Sequence, residues 1–202
     1  MAAQTQPRLT PEEYLKIERA APFKSEYYDG LIYAMPGVSY THWLITNNFA
    51  LELGVALKPR NCNVGTSDLR LRVSLGGLYA YPDVMVVCDQ PKFADATTDT
   101  LLNPLVLIEV LSPSTEAYDR GFKSQQYRKL ESLQEYALAS QTEARVEVFR
   151  RQPDAHWLLS EFAGLDSACR FESLQVSIPL TEIYNKVVFT GEGPLPNPTA
   201  AS

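Results

Sequence analysis

The sequence predicts a single mixed α/β (α+β) domain over residues 1–189, followed by a tail at 190–202. At 202 residues the chain is long enough for one domain with a substantial core, whereas two domains would each be small. Segments with helical periodicity open the chain, short apolar runs occupy its middle, and a helix and further strands follow. This order favours helices packed on a central sheet. The tail consists of Gly, Pro and small residues, which predicts disorder.

The N-terminal region predicts a helix and then a hairpin. Thr10 suits a helix N-cap and Glu13 closes a capping box with it, so the helix is expected to run to about Ala20. Within residues 26–33, the pair Asp29-Gly30 supplies the positive φ angles that a tight hairpin turn requires.

A second helix and the central strands follow. Residues 40–57 carry apolar side chains at near-helical spacing. Arg70 and Arg72 alternate with apolar residues, so we expect them to share the face of a strand that is not buried. The continuous apolar runs at 84–88 and 105–111 predict strands that are covered on both faces.

The C-terminal half predicts one more helix and a hairpin. Ser114 or Thr115 can cap a helix that runs to about Leu133. Residues 146–149 and 157–162 indicate two strands of a final hairpin.

Composition limits the class of protein. No stretch approaches the roughly 20 apolar residues of a membrane span, and the first ten residues lack the apolar core of a secretory signal. Cys62, Cys88 and Cys169 are odd in number and widely spaced, which predicts reduced, mostly buried thiols. We therefore expect a cytoplasmic protein with no membrane partner.

The charge balance gives a mixed indication about nucleic acid. The net charge of −6 argues against a strong, sequence-independent grip on a phosphate backbone. Residues 58–72, however, contain four positive side chains and one negative, a local charge of +3. A small basic strip of this kind is compatible with nucleic-acid binding without demonstrating it.

Two carboxylates occupy positions where a carboxylate is costly. Glu109 lies inside an apolar strand, so it requires a counter-charge, a hydrogen-bond network or a metal ion. Asp83 stands at the entrance of its own apolar strand. If the two strands pair antiparallel with Cys88 opposite Pro104, equal offsets place Asp83 directly opposite Glu109.

Facing carboxylates repel each other, and a divalent cation between them removes the repulsion. Two simpler interpretations compete with a cation site. Glu109 could form a buried ion pair with Arg70 or Arg72, and Asp83 alone could be a strand-entry or turn residue. Taken together, the pair favours the cation site.

These residues resemble a known superfamily. Pro82-Asp83, then Glu109, then a helix with Lys123 resemble the PD-(D/E)XK nucleases. The chain resembles more closely a large bacterial family of restriction-endonuclease-like proteins of unknown biological role. The matching segments are residues 26–33, 81–84, 107–115, 119–127, 133–136 and 178–184.

The resemblance implies a restriction-endonuclease-like core, with a central mixed β-sheet flanked by helices, and Mg²⁺- or Mn²⁺-dependent hydrolysis of DNA phosphodiester bonds. Asp83 and Glu109 would hold the metal together with the backbone carbonyl of Val110, and Glu26 would be an additional acidic ligand. DNA is then the expected partner. A homodimer is expected because cutting both strands favours two-fold symmetric sites.

The chain departs from the superfamily pattern at one position. A lysine is expected two residues after Glu109, where this chain has Leu111. In the closer family the lysine has moved to the following helix, which makes Lys123 the catalytic candidate. The alternative is an ordinary surface pair of Lys123 with Asp119 at i, i+4 spacing. Tyr127, one turn beyond, would orient the lysine or simply belong to the core.

Weaker candidates and rival functions stay open. His42 caps or packs a helix or supports the site, and Gln126 faces the site or solvent. Residues 136–140 lack the expected acid, which favours a rival hypothesis: a catalytically inactive nuclease-fold module that binds nucleic acid or protein. A third hypothesis, suited to the acidic composition, is a metal-dependent phosphohydrolase of a small molecule.

Overall fold

The computed structural model describes residues 8–75 and 77–189, and the predicted tail lies outside that part of the chain. The helices are α1 (Pro11–Ala20), α2 (Tyr40–Leu57), α3 (Glu116–Tyr118), α4 (Ser124–Tyr127) and α5 (Leu180–Ile183), with a π-helical turn at Asp119–Lys123. The strands are β1 (Ser25–Tyr28), β2 (Leu31–Ala34), β3 (Cys62–Thr66), β4 (Arg70–Arg72), β5 (Tyr79–Ala80), β6 (Val84–Cys88), β7 (Thr100–Leu101), β8 (Val106–Val110), β9 (Glu135–Ala139), β10 (Arg145–Arg151), β11 (Trp157–Ala163), β12 (Ala168–Phe171) and β13 (Val176–Pro179). None of the helices in these ranges is long and apolar enough to cross a membrane.

The central sheet is mixed and six-stranded, in the order β11-β10-β9-β8-β6-β3. Its parallel pair is β8 with β9, and the remaining neighbours are antiparallel. One face packs against α2, α5 and the β12–β13 hairpin. The opposite face packs against β4, β5 and the helical segment that ends in α4. The two central strands β6 and β8 are therefore covered on both sides, as their apolar runs predicted.

A second sheet has the order β2-β1-β5-β4-β7. α1 packs against it through Tyr14, which contacts Tyr27 of β1 and Tyr79 of β5. The capping box between Thr10 and Glu13 is present, and α1 ends at Ala20 as predicted. The β1–β2 hairpin turns at Asp29 and Gly30, whose φ angles are +47° and +85°. The predicted left-handed turn is thus confirmed.

The register between β6 and β8 is the one that the sequence predicted. Val84 pairs with Ile108 and Met85 with Leu107 in an antiparallel ladder. Continuing this ladder by one residue sets Asp83 opposite Glu109. Because side chains alternate along a strand, Glu109 lies on the face of Leu107, toward α4 and the second sheet.

The prediction that Arg70 shares a solvent face with Arg72 was wrong, because Arg70 is buried. The rings of Tyr14 in α1 and of Tyr81 cover its guanidinium, with centres 5.8 Å and 5.7 Å away. The Arg70 guanidinium donates to the Tyr81 hydroxyl at 3.0 Å and contacts Asp99 at 2.9 Å. The basic strip read from residues 58–72 therefore loses one of its charges to the interior.

The predicted helix to Leu133 is shorter in the structure and is interrupted. Its α-helical part ends at Tyr127, and Asp119–Lys123 adopts a π-helical turn. Leu130 and Leu133 are nevertheless buried, in the turns that follow. Because Leu130 and Leu133 continue the helical spacing of apolar residues, the sequence predicted a helix longer than the one in the structure.

The prediction of reduced thiols was wrong for Cys62 and Cys88, which form a disulfide. The two residues face each other across the β3–β6 ladder, with Cα atoms 4.0 Å apart. The sequence did not indicate the strand β3, so nothing predicted that Cys62 would lie opposite Cys88. Cys169 is free and buried, as expected.

Reducing this disulfide is expected to destabilise the protein. The bond closes a loop with a sequence separation of 26, which by chain entropy corresponds to about 3–4 kcal/mol. Urea unfolding with and without a thiol reductant measures the difference. A Cys62→Ala, Cys88→Ala double variant should be insensitive to reductant, and an equal midpoint for the wild type in both conditions would contradict the disulfide.

Candidate active site

Asp83 and Glu109 meet where β6 begins and β8 ends. The Asp83 backbone N–H lies 3.4 Å from Glu109 Oε2, and the Val110 N–H donates to Asp83 Oδ2 at 2.8 Å. Glu109 is 3% exposed, whereas the Asp83 side chain retains 14% exposure. The backbone of two paired strands therefore fixes both carboxylates, and Asp83 is the one nearer solvent.

The Lys123 ammonium lies among three carboxylates. Its distances are 3.1 Å to Glu26 Oε1, 3.2 Å to Glu109 Oε1 and 3.3 Å to Asp119 Oδ1. Lys123 is 7% exposed and Asp119 is 3% exposed, so the interpretation of a surface ion pair was wrong. The counter-charge of Glu109 is this lysine, and not Arg70 or Arg72.

The local backbone explains how Lys123 reaches the site. It is the last residue of the π-helical turn that begins at Asp119. Such single π turns inside helices occur frequently at functional sites, because the wider turn redirects side chains. Here Lys123 projects from the turn toward the interior, and its ammonium lies beside Glu109.

Three tyrosines hold these charged groups in place. The Tyr127 hydroxyl donates to Glu109 Oε1 at 2.8 Å, and Tyr127 is fully buried. Both expectations for Tyr127 are therefore met: it belongs to the core, and its hydroxyl contacts the carboxylate that pairs with Lys123. The Tyr118 hydroxyl donates to Glu26 Oε2 at 3.2 Å, and the Tyr136 hydroxyl donates to the Asp119 carbonyl at 3.1 Å. Neither Tyr118 nor Tyr136 was among the site residues predicted from the sequence.

The two weaker candidates occupy different positions relative to the site. His42 lies in the first turn of α2, and its Nε2 is 3.0 Å from Asp83 Oδ2. The side-chain cap of that helix is Ser39, which accepts from the His42 N–H. Gln126 is buried on α4, and its oxygen accepts a hydrogen bond from Lys129. Of the two, His42 is the one in contact with a site carboxylate.

Burial dominates the electrostatics of the site. It raises the pKa of Glu109 well above its ordinary value; Lys123 opposes this shift, whereas Asp83 and Asp119 add to it. Burial lowers the pKa of Lys123, but the attraction of Glu109, Glu26 and Asp119 outweighs it and raises that pKa. The lysine therefore stays charged, and Glu109 holds a proton more readily than a carboxyl group in water does.

The two buried oxygens Glu26 Oε1 and Asp119 Oδ1 face Lys123 without an aligned hydrogen bond. The lysine attracts them as a point charge, since its hydrogen bond goes to Glu109. The site thus contains acceptor capacity that its own donors do not use.

The donor set fits an open magnesium site. Mg²⁺ is bound through one or two carboxylates, with waters and substrate phosphates completing its shell. Asp83 and Glu109 are the two carboxylates that could fill this role. Residues 8–75 and 77–189 hold no group of three or more His, Cys, Asp or Glu placed to enclose a metal ion. A closed protein cage is therefore not formed there, and Glu26 contacts Lys123 and Tyr118.

A cavity of about 360 Å³ opens beside the lysine, lined by Glu26, Tyr33, Tyr118 and Lys123 among others. A second cavity of about 370 Å³ shares Tyr33 and Tyr118 with it. The charged cluster therefore borders an inner cavity of mixed lining, which adjoins an outer cavity lined by aromatic residues.

The comparison with protein families decides where this chain belongs. The family model Uma2, described as "Putative restriction endonuclease", matches residues 11–181. The chain belongs to the Uma2 family. Two uncharacterized proteins of Synechocystis sp. (strain ATCC 27184 / PCC 6803 / Kazusa) are similar to it. The protein slr1290 is 37% identical over 183 residues, covering 91% of this chain and 95% of the relative. The protein sll1609 is 36% identical over 176 residues, covering 87% and 99%.

The Uma2 chain is also similar to a solved structure, that of "a putative nuclease belonging to DUF820" from Anabaena variabilis ATCC 29413. The TM-score is 0.72 at 20% identity, with 89% of this chain and 99% of the other covered. At that identity the likeness shows the fold alone. The predicted restriction-endonuclease-like fold is confirmed, and family and fold together support a nuclease-type function.

Proposed function

We propose that this Uma2 protein is a Mg²⁺-dependent endonuclease that hydrolyses phosphodiester bonds of DNA. The observation that carries the proposal is the position of Asp83 opposite Glu109 with the Lys123 ammonium 3.2 Å from Glu109. Two carboxylates and a lysine are the donor types that a metal-dependent phosphodiesterase uses. The family description and the fold give independent support.

Asp83 and Glu109 would hold Mg²⁺, or Mn²⁺ in its place, together with the carbonyl of Val110. The Val110 N–H already donates to Asp83, which fixes that carboxylate relative to the strand end. A bound divalent ion supplies an activated water at neutral pH and neutralises charge on the attacked phosphate. His42 Nε2 contacts the same oxygen of Asp83 as the Val110 N–H does, Oδ2, and limits rotation of the carboxylate.

Lys123 supplies a fixed positive charge beside the reacting phosphate. Its surrounding carboxylates keep it protonated, and Tyr127 holds the Glu109 carboxylate against it. A charge that is already in place when negative charge develops stabilises the transition state without reorganisation. In this scheme Lys123 takes the role that Leu111 cannot perform.

One observation favours the inactive alternative. The Lys123 ammonium already neutralises part of the carboxylate cluster, and the described residues offer no third acidic or histidine ligand in position. A nuclease-fold module that binds without cutting would retain such an internal ion pair for stability. Activity of the purified protein separates the two functions.

Purified protein is expected to nick supercoiled plasmid DNA in Mg²⁺ or Mn²⁺ and to stop in chelator. Asp83→Ala should show no cleavage above background, because one of two carboxylate ligands is lost. Gel analysis of nicked and linear forms over time measures the rate. Equal nicking by wild type and Asp83→Ala would point to a contaminating nuclease. No nicking under any metal condition would favour the inactive module.

A further inference from the structure

The groove beside the site has aromatic walls. These walls belong to two segments: Tyr28 and Tyr33 come from the β1–β2 hairpin, and Tyr118 and Phe122 come from α3 and the π-helical turn that continues it. Tyr118 and Phe122 stack with centroids 5.3 Å apart and an interplanar angle of 15°, and Phe122 meets Tyr28 edge-on at 4.6 Å. Tyr33 is 47% exposed, so its ring is available to a ligand. The groove therefore offers preformed aromatic surface to a flat molecule.

This aromatic groove is continuous with the charged cluster. Tyr33 and Tyr118 line both cavities, and Lys123 lines the inner one. The Lys123 ammonium lies 5.6 Å from the centre of the Tyr118 ring, whose hydroxyl donates to Glu26. A group resting in the groove is thus held next to the position proposed for the scissile phosphate.

Cations are scarce along the groove. Among the described residues that line the two cavities, Lys123 is the one with a positive charge. Arg120, on the same helical segment, is paired with Glu116 at 2.7 Å and with Glu147. With a net charge of −6, the protein lacks the basic footprint by which duplex DNA is normally gripped. Affinity for the substrate must then come from another source.

We propose that the groove stacks an unpaired nucleobase, so that the substrate is single-stranded DNA or an unpaired stretch within a duplex. The proposal rests on the proposed function, because it assigns the substrate class of the same site. Bases in a continuous duplex expose only their edges, whereas an unpaired base offers its face to aromatic side chains. Stacking of this kind tolerates any sequence, because every base has a π-face.

Tyr33→Ala tests the groove without touching the charged cluster. Loss of one stacked base predicts a KM for a single-stranded oligonucleotide roughly 5- to 150-fold higher, with kcat unchanged. Tyr33→Phe keeps the ring and should retain the wild-type KM. Tyr40→Ala removes a more exposed tyrosine from α2, outside the groove, and should change nothing. Wild-type enzyme should cut the single strand faster than the same sequence in a full duplex.

A binding measurement separates failure of the groove from failure of the proposed function. A 2-aminopurine oligonucleotide is titrated with protein in Ca²⁺, and quenching of its fluorescence reports stacking. Quenching that is lost in Tyr33→Ala supports the groove even if no DNA is cut. Equal cutting of duplex and single strand, with Tyr33→Ala indistinguishable from wild type, overturns the groove while the nuclease stands. If the wild type shows no quenching and cuts no DNA, both the groove and the proposed function are overturned.

Discussion

Lys123→Met is expected to abolish cleavage and to lower stability at the same time. Methionine keeps most of the buried volume but removes the charge that lies beside the attacked phosphate. Loss of one preorganised electrostatic group lowers kcat by roughly 10²–10³-fold. The same change leaves Glu26, Glu109 and Asp119 without their shared counter-charge. Removing one member of a buried ion pair costs about 3–5 kcal/mol.

Two measurements check this prediction: plasmid cleavage under saturating Mg²⁺ and urea unfolding in chelator. Lys16→Met is the matched control, because Lys16 is an exposed lysine of α1. It should leave both quantities near the wild-type values. Wild-type cleavage by Lys123→Met would reduce the lysine to a structural counter-ion. Lys123→Arg should not restore full activity, since the guanidinium is planar and broader than an ammonium.

The buried position of Lys123 changes what the sequence alone suggested. The spacing of Asp119 and Lys123 is that of a common surface pair, for which removal of the lysine would hardly affect folding. In the structure Lys123 is enclosed, because the π-helical turn redirects it toward Glu109. A sequence shows the i, i+4 spacing but does not show where α-helical hydrogen bonding changes to π-helical hydrogen bonding. The burial of Lys123 was therefore not predictable.

The elements that local chemistry specifies were predictable. The capping box at Thr10 and the Asp29-Gly30 turn depend on near neighbours, and both occur as expected. The pairing of Asp83 with Glu109 was also predictable, since two apolar runs of equal offset allow one favourable register. In each case the deciding interaction lies within one element or between two similar strands.

Features set by distant segments were not predictable. Cys62 meets Cys88 only because β3 joins the edge of the central sheet. Arg70 is buried because the rings of Tyr14 and Tyr81 cover its guanidinium. The Tyr118 hydroxyl donates to Glu26 and the Tyr136 hydroxyl to the Asp119 carbonyl, and each pair is far apart in the sequence. None of these contacts leaves a trace in spacing or composition, because each depends on tertiary packing.

Glu109→Gln is expected to stabilise the protein in chelator and to weaken its response to Mg²⁺. Lys123 is not left unpaired in this variant, because Glu26 and Asp119 remain beside it. Because burial raises the pKa of Glu109 above its ordinary value of 4.5, the folded state retains this proton more readily than the unfolded state. The stability linked to this proton is complete below pH 4.5 and is lost as the pH rises through the folded-state pKa. Glutamine does not titrate, so the variant does not lose this stability. The difference in the free energy of unfolding between the variant and the wild type should therefore grow as the pH rises. Urea unfolding in chelator at several pH values measures it.

Addition of Mg²⁺ should reverse the order of stability. A ligand that binds only the folded wild type adds roughly 2.7 kcal/mol at a free concentration about 100 times its Kd. Glu109→Gln, with one carboxylate ligand fewer, should gain less. Glu135→Gln is the control: this buried carboxylate accepts from the backbone N–H groups of Glu172 and Ser173. Its loss should destabilise the protein by about 1–3 kcal/mol while leaving the gain from Mg²⁺ at the wild-type value. Equal gains from Mg²⁺ in the wild type and in Glu109→Gln would exclude Glu109 as a ligand, because the added stability would then come from binding elsewhere.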